Sequence, residues 1–183
     1  MITESNASER RSRFEALFDE GYEGLLAYAR RRVGAEADDV VAETFTVAWR
    51  RLDNVPADAL PWLYGVARRV ISDQRRAGRR RHALAQRIRD TEIRYRDWTT
   101  SPPRPVLAAL ARLNNRDREA VLLTAWEGLH AEQAATAMGC SVVAFRVRLH
   151  RARKRLRAHL NELDSGSSMR APEAAVAKEV EST

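Results

Sequence analysis

A single cysteine, Cys140, stands among 183 residues, so no internal disulfide framework is available and a reducing cytoplasm suits the chain. The four histidines, His82, His130, His150 and His159, are scattered, and none has the spacing of a zinc site. No apolar run is long enough to cross a bilayer, and the opening residues lack the continuous apolar stretch of a signal peptide. Neither a phosphate-binding glycine loop nor a nucleophile–base pair is visible. The one adjacent pair of carboxylates, Asp38 and Asp39, would sit about a hundred degrees apart on a helix. A second acidic cluster to work with them is missing. These absences argue against a catalytic residue, a metal, a cofactor and membrane insertion.

What the chain has is positive charge. Thirty-two Lys and Arg against 25 Asp and Glu give a formal +7, and the excess falls in two later stretches while the first third is nearly balanced. A polyanion is the expected partner. Hydrophobic residues make up 44% of the chain, enough for packed cores but not for one large core, so two small domains are expected.

The periodicity is helical throughout, which gives an all-α fold. Residues 1–11 are polar and expected to fray. From Ser12 to about Arg32, Phe14, Leu17, Phe18, Leu25, Leu26 and Ala29 recur at helical spacing with an interruption around Gly21, which predicts two consecutive helices. A third runs from Glu36 to Leu52, with Val40, Val41, Thr44, Phe45 and Ala48 on one stripe. Asp38 and Asp39 in its first turn suit the positive end of the helix dipole. Asp53 to Asp58 reads as a loop, with Asp58 capping a fourth helix that tolerates Pro61 in its first turn and buries Leu60, Leu63, Tyr64, Ala67, Val70 and Ile71. Arg75, Arg76, Arg79, Arg80 and Arg81 then leave the core. The first domain is therefore 12–83, a flexible linker carrying Pro102, Pro103 and Pro105 covers 84–105, a second domain covers 106–163, and the residues from 164 to 183 form a disordered tail.

In the second domain, helices are expected at 106–112, 116–126, 131–138 and 142–161. The stretch HAEQAATAMGCSVVAFRVRLHRARKRL has the layout of a helix-turn-helix. Ala135 is small where two helices cross, Gly139 takes the positive φ that ends the first, and Ser141 caps the second. Phe145, Leu149, Ala152 and Leu156 make its inward face, and the remaining side chains point out. Arg146, Val147 and His150 are placed to approach base edges, with Val143 and Ala144 close by and Ser141 at the head of the same DNA-facing set, whereas Arg148, Arg151, Arg153 and Lys154 are placed to meet phosphates. Cys140 reads as a small hydrophobe beside the turn. By itself this domain would also suit a homodimeric repressor, which would bind a palindromic operator unaided.

The first domain decides between the two. ADDVVAETFTVAWRRL (37–52) followed by LPWLYGVARRVISDQRR (60–76) resembles the second conserved region of bacterial RNA polymerase sigma factors. LARLNNRDREAVLL through FRVRLHRARKRL resembles the fourth, in the same order. No room is left for the first and third regions, which places the resemblance with the extracytoplasmic-function group. The resemblance implies a non-catalytic subunit that binds polymerase core at the β′ clamp and the β flap, directs promoter recognition and melting, and is held by an anti-sigma factor. It assigns Asp38, Asp39, Glu43, Phe45 and Trp49 to the clamp. The minus-ten element falls to Asn54, Trp62, Tyr64, Arg68, Arg69, Arg75 and Arg76, and the minus-thirty-five element to the recognition helix. The chain departs from the family pattern at Ala42, usually Gln, and at Arg69, commonly Asn.

Overall fold

The computed structural model describes residues 2–83 and 104–168. Among the described residues there are seven α-helices and no strand: α1 (Ile2–Val33), α2 (Ala37–Arg50), α3 (Ala59–Ala83), α4 (Arg104–Ala111), α5 (Asn115–Ala125), α6 (Ala131–Met138) and α7 (Val142–Ser168). Short 3-10 turns at Gly34–Glu36 and Leu52–Asn54 lead into and out of α2. The expected linker lies outside the described residues except for Arg104 and Pro105, which open α4. The backbone of α7 stays helical through Ser168, and the rest of the expected tail lies outside the described residues.

α1 is one helix where two were expected. A Cβ at Gly21 would stand 2.7 Å from Leu63 Cδ1, so the glycine serves the close approach of α3 rather than a break. The helix propensity it forgoes, about 1 kcal/mol against alanine, is offset by that packing. Of the stretch expected to fray, the part around Arg10 is tied down. Arg10 donates to Asp53 at 2.9 Å and to the Trp49 carbonyl at 2.7 Å, and Arg13 donates to the Val55 carbonyl at 3.1 Å. The N-terminal part of α1 thereby straps the loop that joins α2 to α3.

α2 buries Val40, Val41, Thr44, Phe45 and Ala48, and the Thr44 hydroxyl, enclosed in the core, donates to the Val40 carbonyl at 2.7 Å. α3 buries Leu63, Tyr64, Ala67, Val70 and Ile71 against it, while Leu60 is only half-buried. In the second module α4, α5 and α7 enclose Leu110, Leu113, Val121, Leu122 and Ala152. Arg118, buried between them, donates to the carbonyls of Leu110, Ala111 and Leu113 at 2.7–2.8 Å. It thereby satisfies the orphan acceptors at the end of α4.

The two modules share a core. α3 lies against α6, and one apolar cluster runs from Leu25 and Leu63 through Leu123 and Ala134 to Phe145. At the crossing, a Cβ on Gly65 would stand 3.2 Å from the Ala137 carbonyl oxygen, so backbone meets backbone there.

Candidate nucleic-acid interface

The helix-turn-helix is built by three local devices. Gln133 accepts from the His130 N–H at 3.1 Å and fixes the start of α6. Gly139, with φ 64° and ψ 45°, ends it. The Cys140 N–H reaches the Ala135 carbonyl at 3.1 Å and the Gly139 N–H reaches that of Thr136 at 3.1 Å, a paired left-handed cap. Cys140 follows that cap and packs half-buried on the core. Ser141 Oγ then accepts from the Ala144 N–H at 3.2 Å and starts α7. That hydroxyl is occupied by its own helix.

α7 presents an inward face of Phe145 and Ala152, both fully buried, with Leu149 and Leu156 half-buried. On the outside of its first turns Val143 and Val147 are 72% and 46% exposed, and Ala144, Arg146 and His150 are exposed beside them. Isolated aliphatic side chains next to arginine on such a helix suit thymine methyl groups and guanine edges. Arg146 pairs with Glu132 of α6 at 2.8 Å on the open surface. An exposed pair of that kind contributes roughly 0–1 kcal/mol, so it is easily exchanged for another partner. Arg151, Arg153, Lys154 and Arg157 are exposed.

Not every basic residue of α7 faces out. Arg148 is half-buried with Nε 3.8 Å from Asp117, and Arg155 pairs with the same carboxylate. Asp117 is itself buried, in the first turn of α5. It donates its N–H to Asn114 Oδ1 and accepts from Asn114 Nδ2, each at 2.9 Å. Asn114 thus caps α5, and Asp117 both holds that cap in place and anchors α7. Sequence reasoning missed it, although the Asn114-x-x-Asp117 spacing is that of a reciprocal helix cap facing an arginine-rich helix.

On the first module, Asp38, Asp39 and Glu43 are exposed along α2, with Ala42 among them. Glu43 accepts from Gln74 at 3.2 Å. Phe45 is buried, its ring packed on those of Phe14 and Phe18. Trp49 is 40% exposed, edge-on to Phe14 at 5.2 Å and covered by the Arg10 guanidinium at 5.2 Å. The aromatic exposed on α2 is therefore Trp49, with Phe45 behind it.

The minus-ten candidates divide in the same way. Asn54 is exposed in the α2–α3 loop, and Trp62 is half-buried. Trp62, Arg69 and Arg76 recur at sevens and share a face of α3. Tyr64 is buried and stacks on Tyr28 with centroids 4.7 Å apart. Arg68 is half-buried and donates to the Ala137 and Met138 carbonyls of α6 at 3.2 and 3.1 Å. Arg75 donates to the Arg32 carbonyl at 3.1 Å, and Arg76 pairs with Asp73. The side chains of Arg79, Arg80 and Arg81 lie outside the described residues.

Behind these residues an ion cluster joins the modules. Arg32 of α1 makes two bonds to Glu119 of α5, 3.1 and 3.0 Å, and one to Glu127 at 3.0 Å. Arg31 also pairs with Glu127, and the Tyr28 hydroxyl donates to Glu119 at 2.9 Å. Burial opposes the charge on Arg32, yet Glu119, Tyr28 and Glu127 hold it protonated above its ordinary value. Burial, with Glu119 and Glu127 beside it, pushes the Tyr28 phenol well up, and burial takes Tyr64 to about 12.

Comparison with known proteins places this geometry. The chain matches the family models described as Sigma-70 region 2, over residues 17–81, and Sigma-70, region 4, over 104–156. It is 34% identical over 154 residues to RNA polymerase sigma factor NccH of Alcaligenes xylosoxydans xylosoxydans, covering 74% of this chain and 80% of that protein. It is equally 34% identical over 157 residues to ECF RNA polymerase sigma factor SigL of Mycobacterium tuberculosis, with coverages of 81% and 89%. Among solved structures it is similar to the sigma factor RpoE in complex with the anti-sigma factor NepR from Bartonella quintana, with TM-score 0.61 and 26% identity over 81% of this chain and 96% of that one. CnrH in complex with the cytosolic domain of CnrY gives a TM-score of 0.56 at 29% identity, covering 81% and 88%. Two helical modules in this order are those of sigma regions 2 and 4, and the chain belongs to the ECF, or extracytoplasmic-function, RNA polymerase sigma factors. The work of that family is promoter-specific transcription initiation with RNA polymerase.

Proposed function

We propose that this sigma factor grips polymerase core through the exposed carboxylates of α2, meets the melted minus-ten element with α3 and the α2–α3 loop, and reads the minus-thirty-five duplex with α7. The observation that carries the reading is the separation of charge. Asp38, Asp39 and Glu43 are exposed on α2, a surface suited to a basic helix such as one of the β′ clamp. Arg146, Arg151, Arg153 and Lys154 are exposed on α7, with the apolar Val143, Ala144 and Val147 at its leading end. The β flap is the natural partner of the second module. The chain supplies no chemistry of its own.

Both modules hold each other in the closed arrangement described above, with Arg68 bonded to α6 instead of to DNA. Spanning two promoter elements requires them to part, and polymerase supplies the two docking points that hold them apart. The relatives solved with NepR and with CnrY are sigma factors bound by partner proteins, NepR being an anti-sigma factor. An anti-sigma factor that keeps this chain in the cytoplasm away from polymerase is therefore part of the reading. No helix among the described residues is long and apolar enough to cross a membrane.

The test is reconstitution of the purified chain with sigma-free core polymerase on genomic DNA, with the transcripts sequenced. The reading predicts start sites preceded by a shared pair of elements. Initiation no higher than that of core alone would defeat it.

A further inference from the structure

Between the modules lies a cleft of about 390 Å³, lined from one side by Arg69, Arg75 and Arg76 of α3 and from the other by Asn115 and Arg116 at the start of α5. Its volume is at the small end of pockets that hold compact ligands. The electrostatics of the lining are one-sided. Arg68 and Arg118, also in the wall, are bonded to backbone carbonyls, which orient a guanidinium without cancelling its charge. The acidic residue of the lining, Glu119, is taken up by Arg32. Asp73 lies outside the lining and, among the described residues, pairs with Arg76. Arg69 and Arg116 are exposed and have no carboxylate partner among the described residues. Asn115 and Arg116 occupy the first two positions of an 11-residue helix, whose unpaired N–H groups add positive potential.

We propose that this cleft is a binding site for a small polyphosphate anion, a nucleoside triphosphate or an inorganic chain of phosphates, which bridges α3 and α5 and holds the two modules together. Arginine forks suit phosphate oxygens in pairs, and a ligand with several phosphates reaches both walls where a single sulfate reaches one. The site exists only while the modules are closed, so binding shifts the equilibrium toward the closed form. This goes beyond promoter recognition, because Arg116 and Asn115 have no part in that reading. Failure of the proposal would leave the polymerase and promoter assays untouched.

The experiment is calorimetric titration of the full-length protein with inorganic triphosphate, with ATP and with sulfate at one fixed ionic strength near 0.15 M. The fixed salt matters because exposed charges are screened within about 8 Å there. The site predicts one triphosphate per chain, bound at least tenfold more tightly than sulfate. Arg116→Glu should weaken it by tenfold or more, whereas Arg50→Glu, the same charge change on α2, should leave it unchanged. ATP matching or exceeding inorganic triphosphate identifies a nucleotide source, and inorganic triphosphate alone identifies free polyphosphate. Small-angle scattering should show the radius of gyration unchanged or reduced on binding. Triphosphate no tighter than sulfate, or equal losses in both variants, would overturn the proposal. So would displacement by any single-stranded DNA with no effect of Arg116→Glu, which would assign these arginines to nucleic acid alone.

Discussion

Glu127→Ala offers a sharp perturbation of the closed arrangement. The Glu127 carboxylate is 2% exposed and receives bonds from both Arg31 and Arg32 across the module boundary. Removing one partner of a buried pair and leaving the other charge behind costs about 3–5 kcal/mol. Here the lost partner serves two arginines, so the upper half of that range applies while the modules stay together. If they part, Arg31 and Arg32 regain water and the penalty disappears. A destabilisation of about 4 kcal/mol falling on the closed form alone would move the closed-to-open ratio by roughly a thousandfold. The assay is a distance distribution between fluorophores placed on α2 and α7, together with thermal melts of each module. The expected result is a longer and broader distance distribution, with both modules still folded. An unchanged distance accompanied by one lowered cooperative melt would refute the reasoning, since Glu127 would then be core of a single inseparable body.

Other consequences are more local. Phe145→Ala empties a fully buried position where α6 meets α7 and should cost about 3–5 kcal/mol. Urea unfolding would then show loss of the helix-turn-helix before the first module. Tyr64, pushed up to about 12 by burial, and Tyr28, raised well above its ordinary value by burial, keep their protons in the folded protein after the unfolded chain has begun to lose them. Their contribution to stability is therefore complete below about pH 10 and falls as pH rises toward 12, at roughly 1.4 kcal/mol per pH unit for each tyrosine. Tyr64→Phe should reduce that alkaline slope when stability is measured between pH 9 and pH 11. On DNA, Arg146→Ala should change the preferred upstream sequence. Arg153→Ala should instead weaken all sequences alike and flatten the salt dependence, as competition binding at two salt concentrations would report. Identical losses at every site for both variants would remove that division of labour.

The parts of this fold governed by local rules were legible in the sequence. Gly139 and Ser141 announced the turn because a left-handed cap and a helix N-cap each demand a particular residue type. Phe145 and Ala152 were placed by periodicity alone. The module interface was not legible, because its residues carry no periodic or motif signal. Tyr28 and Arg32 meet Glu119 and Glu127 across separations of 87 to 95 residues. Gly21 misled for a related reason. Read locally a glycine breaks a helix, whereas here it makes room for Leu63 more than forty residues away. Arg148 was expected among the outward residues, and only the three-dimensional position of Asp117 draws it in, whereas Arg155 pairs with the same carboxylate and stays exposed. The exposed face of α2 was found from sequence, but Phe45 was separated from Trp49 only once the aromatic packing of α1 on α2 was known.

The claim on which the account rests is that α2 is the handle for polymerase. The direct measurement is the affinity of the full-length chain for sigma-free core polymerase, compared with the double variant Asp39→Lys/Glu43→Lys. Both side chains are exposed, so the folded structure should persist. The account predicts nanomolar-to-micromolar binding that weakens by at least a hundredfold in the variant, about 2.7 kcal/mol for two reversed contacts, with circular dichroism unchanged. Equal affinity of the two proteins for core would contradict it.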